Sequence, residues 1–253
     1  MKIVRFAIDN NVRYGILDGD SIQSIEDKPY LHLELSDTHY QLSKVKLLSP
    51  CLPAKIVFLG LNYHSRVEED KMPLPNAPPT FLKPPKAVIG PEDNLTCPSD
   101  SHRIDYEGHL GVVIKKSIWR VPIEDALDYV LGYTCFNDIT ARDLRHSNNP
   151  WPRSNDSDTF VSIGPYIETE LNPGNVVLET YLNGELKQHA NTKDLIYSIP
   201  ELINFISNVM PLQPGDILAT GTPSGTGSMY PDDTVEIKIK SIGTLRNYVV
   251  NHS

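Results

Sequence analysis

The chain has 253 residues, of which 40% are hydrophobic and 22% are charged, and its formal net charge is −9. The length and composition fit a soluble globular protein with one large domain, or with a small domain and a medium one. The acidic balance argues against a nucleic-acid partner held by phosphate contacts, whereas small anionic substrates need only a local cationic pocket. No run approaches the ~20 apolar residues of a membrane helix.

The three cysteines, Cys51, Cys97 and Cys135, are odd in number and lie far apart in the chain. No Cys-x-x-Cys pair is present, so the sequence predicts neither a disulfide framework nor a zinc knuckle. The first residues alternate like a strand and do not resemble a signal peptide. We therefore expect a reduced, cytoplasmic protein.

The N-terminal part of the chain predicts a small β module. Apolar side chains alternate in three short segments, and the polar segment 9–11 gives a hairpin signal between the first two. The predicted strands of this module are residues 2–7, 12–17 and 21–25. Two prolines in residues 47–53 disfavour helix and mark a linker. We expect the module to comprise residues 1–48 and a larger domain to comprise residues 49–253.

The larger part is also rich in strand patterns. The predicted strands are residues 55–60, 105–114, 131–137, 160–167, 176–182, 217–220, 235–239 and 244–250. The predicted helices are residues 62–70, 123–130, 138–145 and 198–210, and the predicted loops are residues 72–85 and 148–157. The dipeptide Asn183-Gly184 is a strong signal for a type I′ hairpin turn. Since strands dominate, the sequence predicts an α+β, mainly β fold.

Three side chains in the middle of the chain have the chemistry of a metal site. Glu107 and His109 lie two residues apart in a strand pattern, so they point to the same face, and Asp138 ends the next apolar run. Polar groups on buried strands are costly unless something compensates them, as a divalent cation would. Glu, His and Asp also form the ligand set of a facial site with open coordination positions.

A purely structural explanation fits the same residues. Glu107 could pair with Arg103 or Arg142, and His109 could be an ordinary hydrogen-bonded strand histidine. Glu-x-His on a strand is a weak motif, and residue types alone do not decide between the two interpretations. If a metal binds, the single imidazole shifts the preference from Mg²⁺ towards Mn²⁺, Fe²⁺ or Zn²⁺.

Short motifs spread over nearly the whole chain resemble those of one family, the fumarylacetoacetate hydrolase (FAH) family in its compact form. They occur in the family's order. The motifs are Gly60-Leu61-Asn62-Tyr63, Phe81-Leu82-Lys83-Pro84, Asp105-Tyr106-Glu107, Asn137-Asp138-Ile139-Thr140-Ala141-Arg142-Asp143, Asp158-Thr159-Phe160, Ile163-Gly164-Pro165, Asn183-Gly184-Glu185-Leu186, Pro214-Gly215-Asp216, Thr220-Gly221-Thr222-Pro223-Ser224-Gly225 and Ile242-Gly243-Thr244-Leu245-Arg246-Asn247.

The resemblance implies a mixed β-roll fold, a homodimer and a small-molecule substrate. Members of the family act on small 2-oxo acids and their enols, by hydrolysis, hydration, decarboxylation or tautomerisation. A divalent metal, Mg²⁺ or Mn²⁺, chelates the 2-oxo-carboxylate of the substrate and polarises its carbonyl group. We therefore expect a 2-oxo acid or dicarboxylate as substrate, and neither nucleic acid nor membrane as a partner.

The resemblance also implies roles for individual residues, and several positions depart from the family pattern. The metal ligands fall on Glu107, His109 and Asp138, where the family usually has Glu at position 109. The substrate-binding positions fall on Lys83, Arg142, Gly221 and Thr222. The catalytic positions fall on Arg66, Glu69, Arg145 and Asn155, where the family has His, Glu, Gln and Lys.

These departures leave two functions open. An Arg at position 66 stays protonated and cannot act as a general base, but Arg66 and Arg145 can clamp carboxylates. His64 is a poor substitute base, because residues two apart on a helix face different ways. One hypothesis is therefore a metal-dependent isomerase, tautomerase, dehydratase or decarboxylase of a 2-oxo acid, with hydrolysis less favoured. The alternative is a catalytically degenerate relative that binds ligands or acts as a scaffold.

Overall fold

The computed structural model describes residues 1–30, 33–101, 103–144 and 159–251, and the fold is mainly β, as predicted. The strands are β1 Lys2–Ile8, β2 Asn11–Asp18, β3 Ser21–Ile25, β4 Leu35–Gln41, β5 Lys46–Leu48, β6 Ile56–Leu59, β7 Thr80–Lys83, β8 Val88–Ile89, β9 Asn94–Cys97, β10 Ile104–Tyr106, β11 Gly108–Ile114, β12 Val130–Asp138, β13 Thr140–Ala141, β14 Val161–Glu168, β15 Val177–Leu182, β16 Glu185–Asn191, β17 Ile217–Ala219, β18 Gly227–Met229, β19 Thr234–Ile239 and β20 Gly243–Asn251.

Helices are few and short in the described part of the chain. The α-helices are α1 His64–Glu69 and α2 Ile199–Val209, and the 3₁₀-helices are Leu42–Lys44, Pro85–Ala87, Ile123–Tyr129, Arg142–Leu144 and Thr192–Asp194. None of the helices described here has the length and hydropathy needed to cross a bilayer.

The described strands form three sheets. The largest has 12 strands, in the order β4-β3-β2-β1-β14-β12-β11-β17-β6-β7, with β5 on β1 and β8 on β14. A five-stranded sheet has the order β16-β15-β19-β20-β9, and a three-stranded sheet has the order β13-β10-β18. The N-terminal strands belong to the largest sheet, because β1 pairs antiparallel with β14.

The two hairpins with asparagine-containing turns have the backbone that the sequence predicts. Asn183 and Gly184 both have positive φ angles, 52° and 80°, and so do Asp9 and Asn10, at 47° and 63°. Positive φ at both central positions is the mark of a type I′ turn, whose twist matches that of the strands it joins. These turns connect β1 to β2 in continuous register and β15 to β16 with a register shift between Thr180 and Tyr181.

Both faces of the largest sheet are covered near its centre, where all seven residues of β11 are buried. On one face, Leu110 and Val112 pack in a core with the five-stranded sheet and helix α2. On the other face, Val113 packs in a second core with Phe58 and Phe136. Since side chains alternate along a strand, His109 lies on the face of the second core.

Helix α2 confirms the predicted amphipathic segment. Leu202, Ile203 and Ile206 are buried in the first core, whereas Val209, which shares their spacing, is 60% exposed at the end of the helix. Pro200 lies in the first turn, where its missing N–H costs nothing. The Glu201 carboxylate accepts a hydrogen bond from the Ser198 N–H at 2.7 Å, which caps the helix.

Four predicted elements differ in the structure. Residues 105–114 form two strands in different sheets, because the chain changes sheet at Glu107. Residues 123–130 form a 3₁₀-helix, and residues 138–144 form the end of β12, then β13, then a 3₁₀-helix. The predicted loop 72–85 contains β7, which pairs with the buried strand β6 despite the prolines that flank it.

Candidate active site

The site lies on the second-core face of the largest sheet. Phe81 and Lys83 lie two residues apart on β7, and Phe136 and Asp138 lie two residues apart at the end of β12. His109 near the start of β11 lies opposite Phe136, and their rings meet edge to face with centroids 5.7 Å apart. The strand period therefore brings a cation, an imidazole and a carboxylate to one face.

The structure brings the three predicted ligand residues together. The ligand atoms of Glu107, His109 and Asp138 all lie within 4.8 Å of one another, and Glu107 Oε2 is 4.0 Å from His109 Nε2. Asp138 and His109 are buried, whereas the Glu107 side chain is 16% exposed. Glu107 lies between two strands, and its N–H donates to the side chain of Asn137 rather than to a strand neighbour.

Lys83 is a cation that contacts Asp138. The two side chains form a fully buried ion pair, and Lys83 Nζ also donates to the carbonyl oxygens of Ile139 at 2.6 Å and Phe160 at 3.1 Å. An ammonium group has three donors, and these three acceptors use them all. Lys83 is therefore a fixed cation beside the site, and protein groups already take the donors that the prediction assigned to substrate.

Arg142 plays the same role for Glu107. Its Nη2 donates to Glu107 Oε1 at 2.6 Å and its Nε donates to Asp105 Oδ2 at 2.7 Å. Arg103 Nε also donates to Asp105 Oδ1, at 2.9 Å. The pairing of Glu107 with Arg142 that the structural explanation required is thus present, and it coexists with the ligand cluster. Asp105 anchors Arg142, a role that the sequence analysis missed although the residue stands in the quoted motif.

Burial makes the Glu107 carboxyl a weaker acid than usual. Burial and then the neighbouring Asp138 carboxylate raise the pKa of Glu107 to about 7, while the Arg142 guanidinium acts in the opposite direction. The pKa of Glu107 therefore lies close to neutral pH, where the carboxyl changes between its protonated and ionised forms.

His109 makes one hydrogen bond with the part of the chain that the structure describes. Its Nδ1 accepts from the backbone N–H of Gly221 at 3.0 Å, and its Nε2 has no hydrogen-bond partner among the described residues. The ring is wholly buried, and burial, with the nearby Lys83 charge, lowers the pKa of His109 to about 3. The imidazole is therefore neutral. It is also hydrogen-bonded, as the structural explanation of a strand histidine required.

The loop after β17 holds this arrangement in place. Gly221 has a φ of 116°, and a Cβ on it would lie 2.7 Å from Asn62 Cβ. The Asn62 side chain donates to the carbonyl oxygen of Thr220 at 2.7 Å. Gln188 donates to Thr222 Oγ1 at 2.9 Å, and it accepts from the N–H of Gly108 at 3.0 Å. The sequence analysis did not identify Asn62 or Gln188, whose partners lie far away along the chain.

Arg66 and Glu69, the two described catalytic positions, form an ion pair on helix α1. Arg66 Nη1 lies 2.9 Å from Glu69 Oε2 and donates to Thr226 Oγ1 at 2.6 Å. Arg66 Nε lies 3.0 Å from Asp70 Oδ2, and the Gly225 N–H donates to Glu69 Oε1 at 3.0 Å. The guanidinium is buried, and these contacts with protein groups fix its position.

A cavity of about 460 Å³ opens onto these groups. The polar residues that line it are Arg66, Asp70, Glu107, Asp138, Thr140, Arg142 and Thr222. The apolar part of the wall includes Phe58, Leu61, Met72, Pro79 and Phe81. His64 is exposed and is not part of this wall, which agrees with the argument against it as a base. The predicted positions Arg145 and Asn155 lie outside the described residues.

The residues fit a divalent ion through the two carboxylates. Hard cations prefer oxygen ligands, and the carboxylates of Glu107 and Asp138 face the same cavity. The imidazole fits less well, because a backbone N–H can only donate and Nδ1 must therefore be the unprotonated nitrogen. The nitrogen that faces the carboxylates then carries the proton of the neutral ring.

Comparisons with known proteins identify the family of the chain. Residues 55–250 match the family model described as fumarylacetoacetate (FAA) hydrolase C-terminal, and residues 1–50 match the model described as Rv2993c-like, N-terminal. The oxaloacetate tautomerase YisK of Bacillus subtilis is 40% identical over 231 residues, which cover 85% of this chain and 77% of that protein.

Two solved structures share the whole fold. A 5-carboxymethyl-2-hydroxymuconate delta-isomerase from Mycobacterium smegmatis is 36% identical with a TM-score of 0.94, covering 100% of both chains. A maleylpyruvate hydrolase from Sphingobium sp. SYK-6, in complex with manganese(II) ion and pyruvate, is 31% identical with a TM-score of 0.83, again over 100% of both chains. Fold, site and matched family model together show that this chain belongs to the fumarylacetoacetate hydrolase family.

Proposed function

We propose that the protein is an enzyme that acts on a small 2-oxo acid or its enol by stabilising an enolate. The observation that carries this proposal is the cavity wall, where the carboxylates of Glu107 and Asp138 stand beside the fixed cations Lys83 and Arg142. The two carboxylates would hold a divalent ion. When bound, such an ion supplies a Lewis acid that polarises the 2-oxo group and stabilises the charge of the enolate.

The residues of the chain favour tautomerisation, isomerisation or decarboxylation over hydrolysis. Hydrolysis of a carbon–carbon bond needs a base that activates water, and Arg66 holds its proton at every working pH. Arg66 instead adds a buried positive charge to the cavity wall. Its Nε and Nη1 contact Asp70, Glu69 and Thr226, and its Nη2 is the guanidinium nitrogen that we propose donates to a second carboxylate of the substrate. We therefore propose a dicarboxylic 2-oxo acid as the substrate.

The experiment is a panel of 2-oxo mono- and dicarboxylic acids, each assayed with Mg²⁺, Mn²⁺, Fe²⁺ and Zn²⁺. We expect metal-dependent enolisation or decarboxylation of at least one dicarboxylic acid, and loss of that activity in Asp138→Ala. The surface variant Glu185→Gln, which alters an exposed ion pair with Lys187, is the matched control. Absence of metal-dependent turnover on the whole panel would contradict the proposal.

Arg66→Met is expected to weaken the binding of dicarboxylic acids more than that of monocarboxylic acids. A hydrogen bond to a charged group contributes about 1.5–3 kcal/mol, so KM for a dicarboxylic acid should rise by about 10–100-fold. KM for pyruvate should change by less than about threefold. Steady-state kinetics or isothermal titration measures the binding of the two substrate classes. An equal effect on both classes would show that Arg66 does not bind the second carboxylate.

The affinity for Mn²⁺ is expected to rise with pH and to level off above about pH 7. Glu107 has its pKa raised to about 7 by burial and by Asp138, so below that pH an arriving ion must displace a proton. Metal affinity then falls by about tenfold for each pH unit below 7. Titrations between pH 5.5 and 8.5 measure this slope. Glu107→Gln should bind Mn²⁺ more weakly and lose most of the pH dependence; an unchanged slope would contradict the assignment.

One observation favours the alternative of a ligand-binding or scaffold protein. The three carboxylates of Asp105, Glu107 and Asp138 are already paired with three cations, Lys83, Arg103 and Arg142. The cluster is therefore balanced in charge without any ion. The metal content of the purified protein discriminates the two functions, because a scaffold would contain none and would bind none at micromolar concentrations.

A further inference from the structure

The orientation of the His109 ring decides which of its nitrogens carries the proton. The Gly221 N–H donates to Nδ1 at 3.0 Å, and a backbone amide has no lone pair with which to accept. Nδ1 is therefore the acceptor, and the neutral ring has its proton on Nε2. The register of the sheet sets this contact: Ala219 pairs with Gly111 across antiparallel strands, so the next residue on the same face, Gly221, falls beside His109.

The Nε2–H group lies in the cluster with the Glu107 and Asp138 carboxylates, and it has no acceptor among the described residues. Glu107 Oε2, at 4.0 Å, is too far for a hydrogen bond, and no described residue offers another acceptor to Nε2. The side chain is wholly buried. Buried donors in folded proteins almost always have a partner, so an acceptor that is not part of the described protein belongs at this position.

The opposite orientation of the ring is disfavoured by the loop. Turning the ring over would place a ring carbon against Gly221, and the buried backbone N–H of Gly221 would then lose its acceptor. The loop has little freedom to adjust, because Gly221 has a φ of 116° and packs on Asn62, which in turn holds Thr220. An Nε2 that keeps its proton has no lone pair for a metal.

We propose that His109 is a hydrogen-bond donor to an oxygen of the bound oxo acid and is not a metal ligand, so that Glu107 and Asp138 alone hold the ion. The identity of the acceptor rests on the proposed function. The donor character of His109 rests only on the geometry above. His109 then adds a neutral N–H donor at the point where negative charge develops on the substrate. Two protein ligands in place of three leave more of the ion's coordination to water and substrate.

The tautomer is measured directly on the full-length, metal-free protein labelled with ¹⁵N-histidine. Long-range ¹H–¹⁵N correlation spectra distinguish a ring protonated on Nε2 from one protonated on Nδ1, and His109→Gln identifies the His109 signals by their loss. We expect the proton on Nε2. A proton on Nδ1 would overturn the proposal. This result does not depend on turnover, so it separates a failure of this inference from a failure of the proposed function.

Metal binding gives the second measurement. Pulsed electron paramagnetic resonance of the Mn²⁺-loaded protein should show no coupling to a directly bonded imidazole nitrogen, and such a coupling would overturn the proposal. His109→Phe should keep its Mn²⁺ affinity within about threefold while binding pyruvate to the Mn²⁺-loaded protein at least tenfold more weakly. A tenfold loss of Mn²⁺ affinity would instead assign His109 as a ligand.

Two variants, His109→Gln and a control at an exposed histidine, separate the loss of the His109 hydrogen bond from an effect on folding. His109→Gln keeps a donor near the position of Nε2, and we expect it to recover most of the pyruvate affinity that His109→Phe loses. If the two variants bind pyruvate equally weakly, the donor role is wrong. His39→Gln, at an exposed histidine on β4, serves as the control and should match the parent protein in every measurement.

Discussion

Asp138→Ala is expected to lower the affinity for Mn²⁺ by at least ~100-fold and to reduce the free energy of unfolding by about 3–5 kcal/mol. The first effect follows from the proposal that Asp138 is one of two carboxylates that hold the ion, whereas residues that only support a ligand typically change metal affinity by about 10–100-fold. The second follows because the variant leaves the Lys83 ammonium buried without its anion, which typically costs about 3–5 kcal/mol. Calorimetric titration with Mn²⁺ and urea unfolding measure the two effects.

A double variant separates the two effects of Asp138. Lys83→Met combined with Asp138→Leu replaces the buried ion pair by apolar side chains of similar size, an exchange that is often neutral or stabilising. We expect this protein to recover most of the lost stability while its Mn²⁺ affinity stays at the level of Asp138→Ala. If Asp138→Ala alone binds Mn²⁺ like the parent protein, the carboxylate is not a ligand. Recovery of metal affinity in the double variant would lead to the same conclusion.

Gly221→Ala is expected to destabilise the protein by about 2–6 kcal/mol and to disturb the His109 ring. A Cβ at this position would lie 2.7 Å from Asn62 Cβ, and the φ of 116° is unfavourable for any residue with a side chain. Backbone strain of this kind costs about 1–3 kcal/mol, and overpacking in a buried site adds about 1–3 kcal/mol. Chemical unfolding measures the loss, and the His109 NMR signals report the disturbance of the ring.

Gly60→Ala is the matched control for Gly221→Ala. Gly60 lines the cavity, and the nearest atom to a Cβ there is Phe81 Cε2 at 3.5 Å, an ordinary van der Waals distance. We expect this variant to lie within about 1 kcal/mol of the parent protein. A Gly221→Ala protein as stable as Gly60→Ala would show that the loop adjusts freely, and the fixed orientation of His109 would then lose its main support.

Local patterns identified the features of this fold that depend on neighbouring residues. The alternation in residues 12–17 predicted β2, Asn183-Gly184 predicted the turn between β15 and β16, and the apolar spacing after Ser198 predicted helix α2. Where sheet pairing competes with local propensity, the same patterns were wrong: β7 is flanked by prolines and still pairs with β6. Glu107 also interrupts what its sequence predicts as one strand, because two different sheets meet there.

For the candidate site as well, the sequence predicted some features and missed others. Strand alternation placed Glu107 and His109 on one face, and the resemblance to the family implied that Asp138 joins them. The structure places the ligand atoms of all three within 4.8 Å of one another. Their hydrogen-bond partners were beyond the reach of sequence reasoning. Gly221 and Gln188 are 112 and 80 residues away from the groups that they contact, and neither contact leaves a local pattern.

The sequence by itself determined the family, through motifs that resemble those of its members, and the mainly β architecture, because local periodicity depends on residues close together in the chain. It also determined the set of ionisable groups available to the site. Only the tertiary structure decided how those groups are paired and which nitrogen of the imidazole is directed towards the site. Strand order and register set these contacts: β17 pairs with β11, and this pairing places the Gly221 N–H on Nδ1 and directs Nε2 towards the carboxylates.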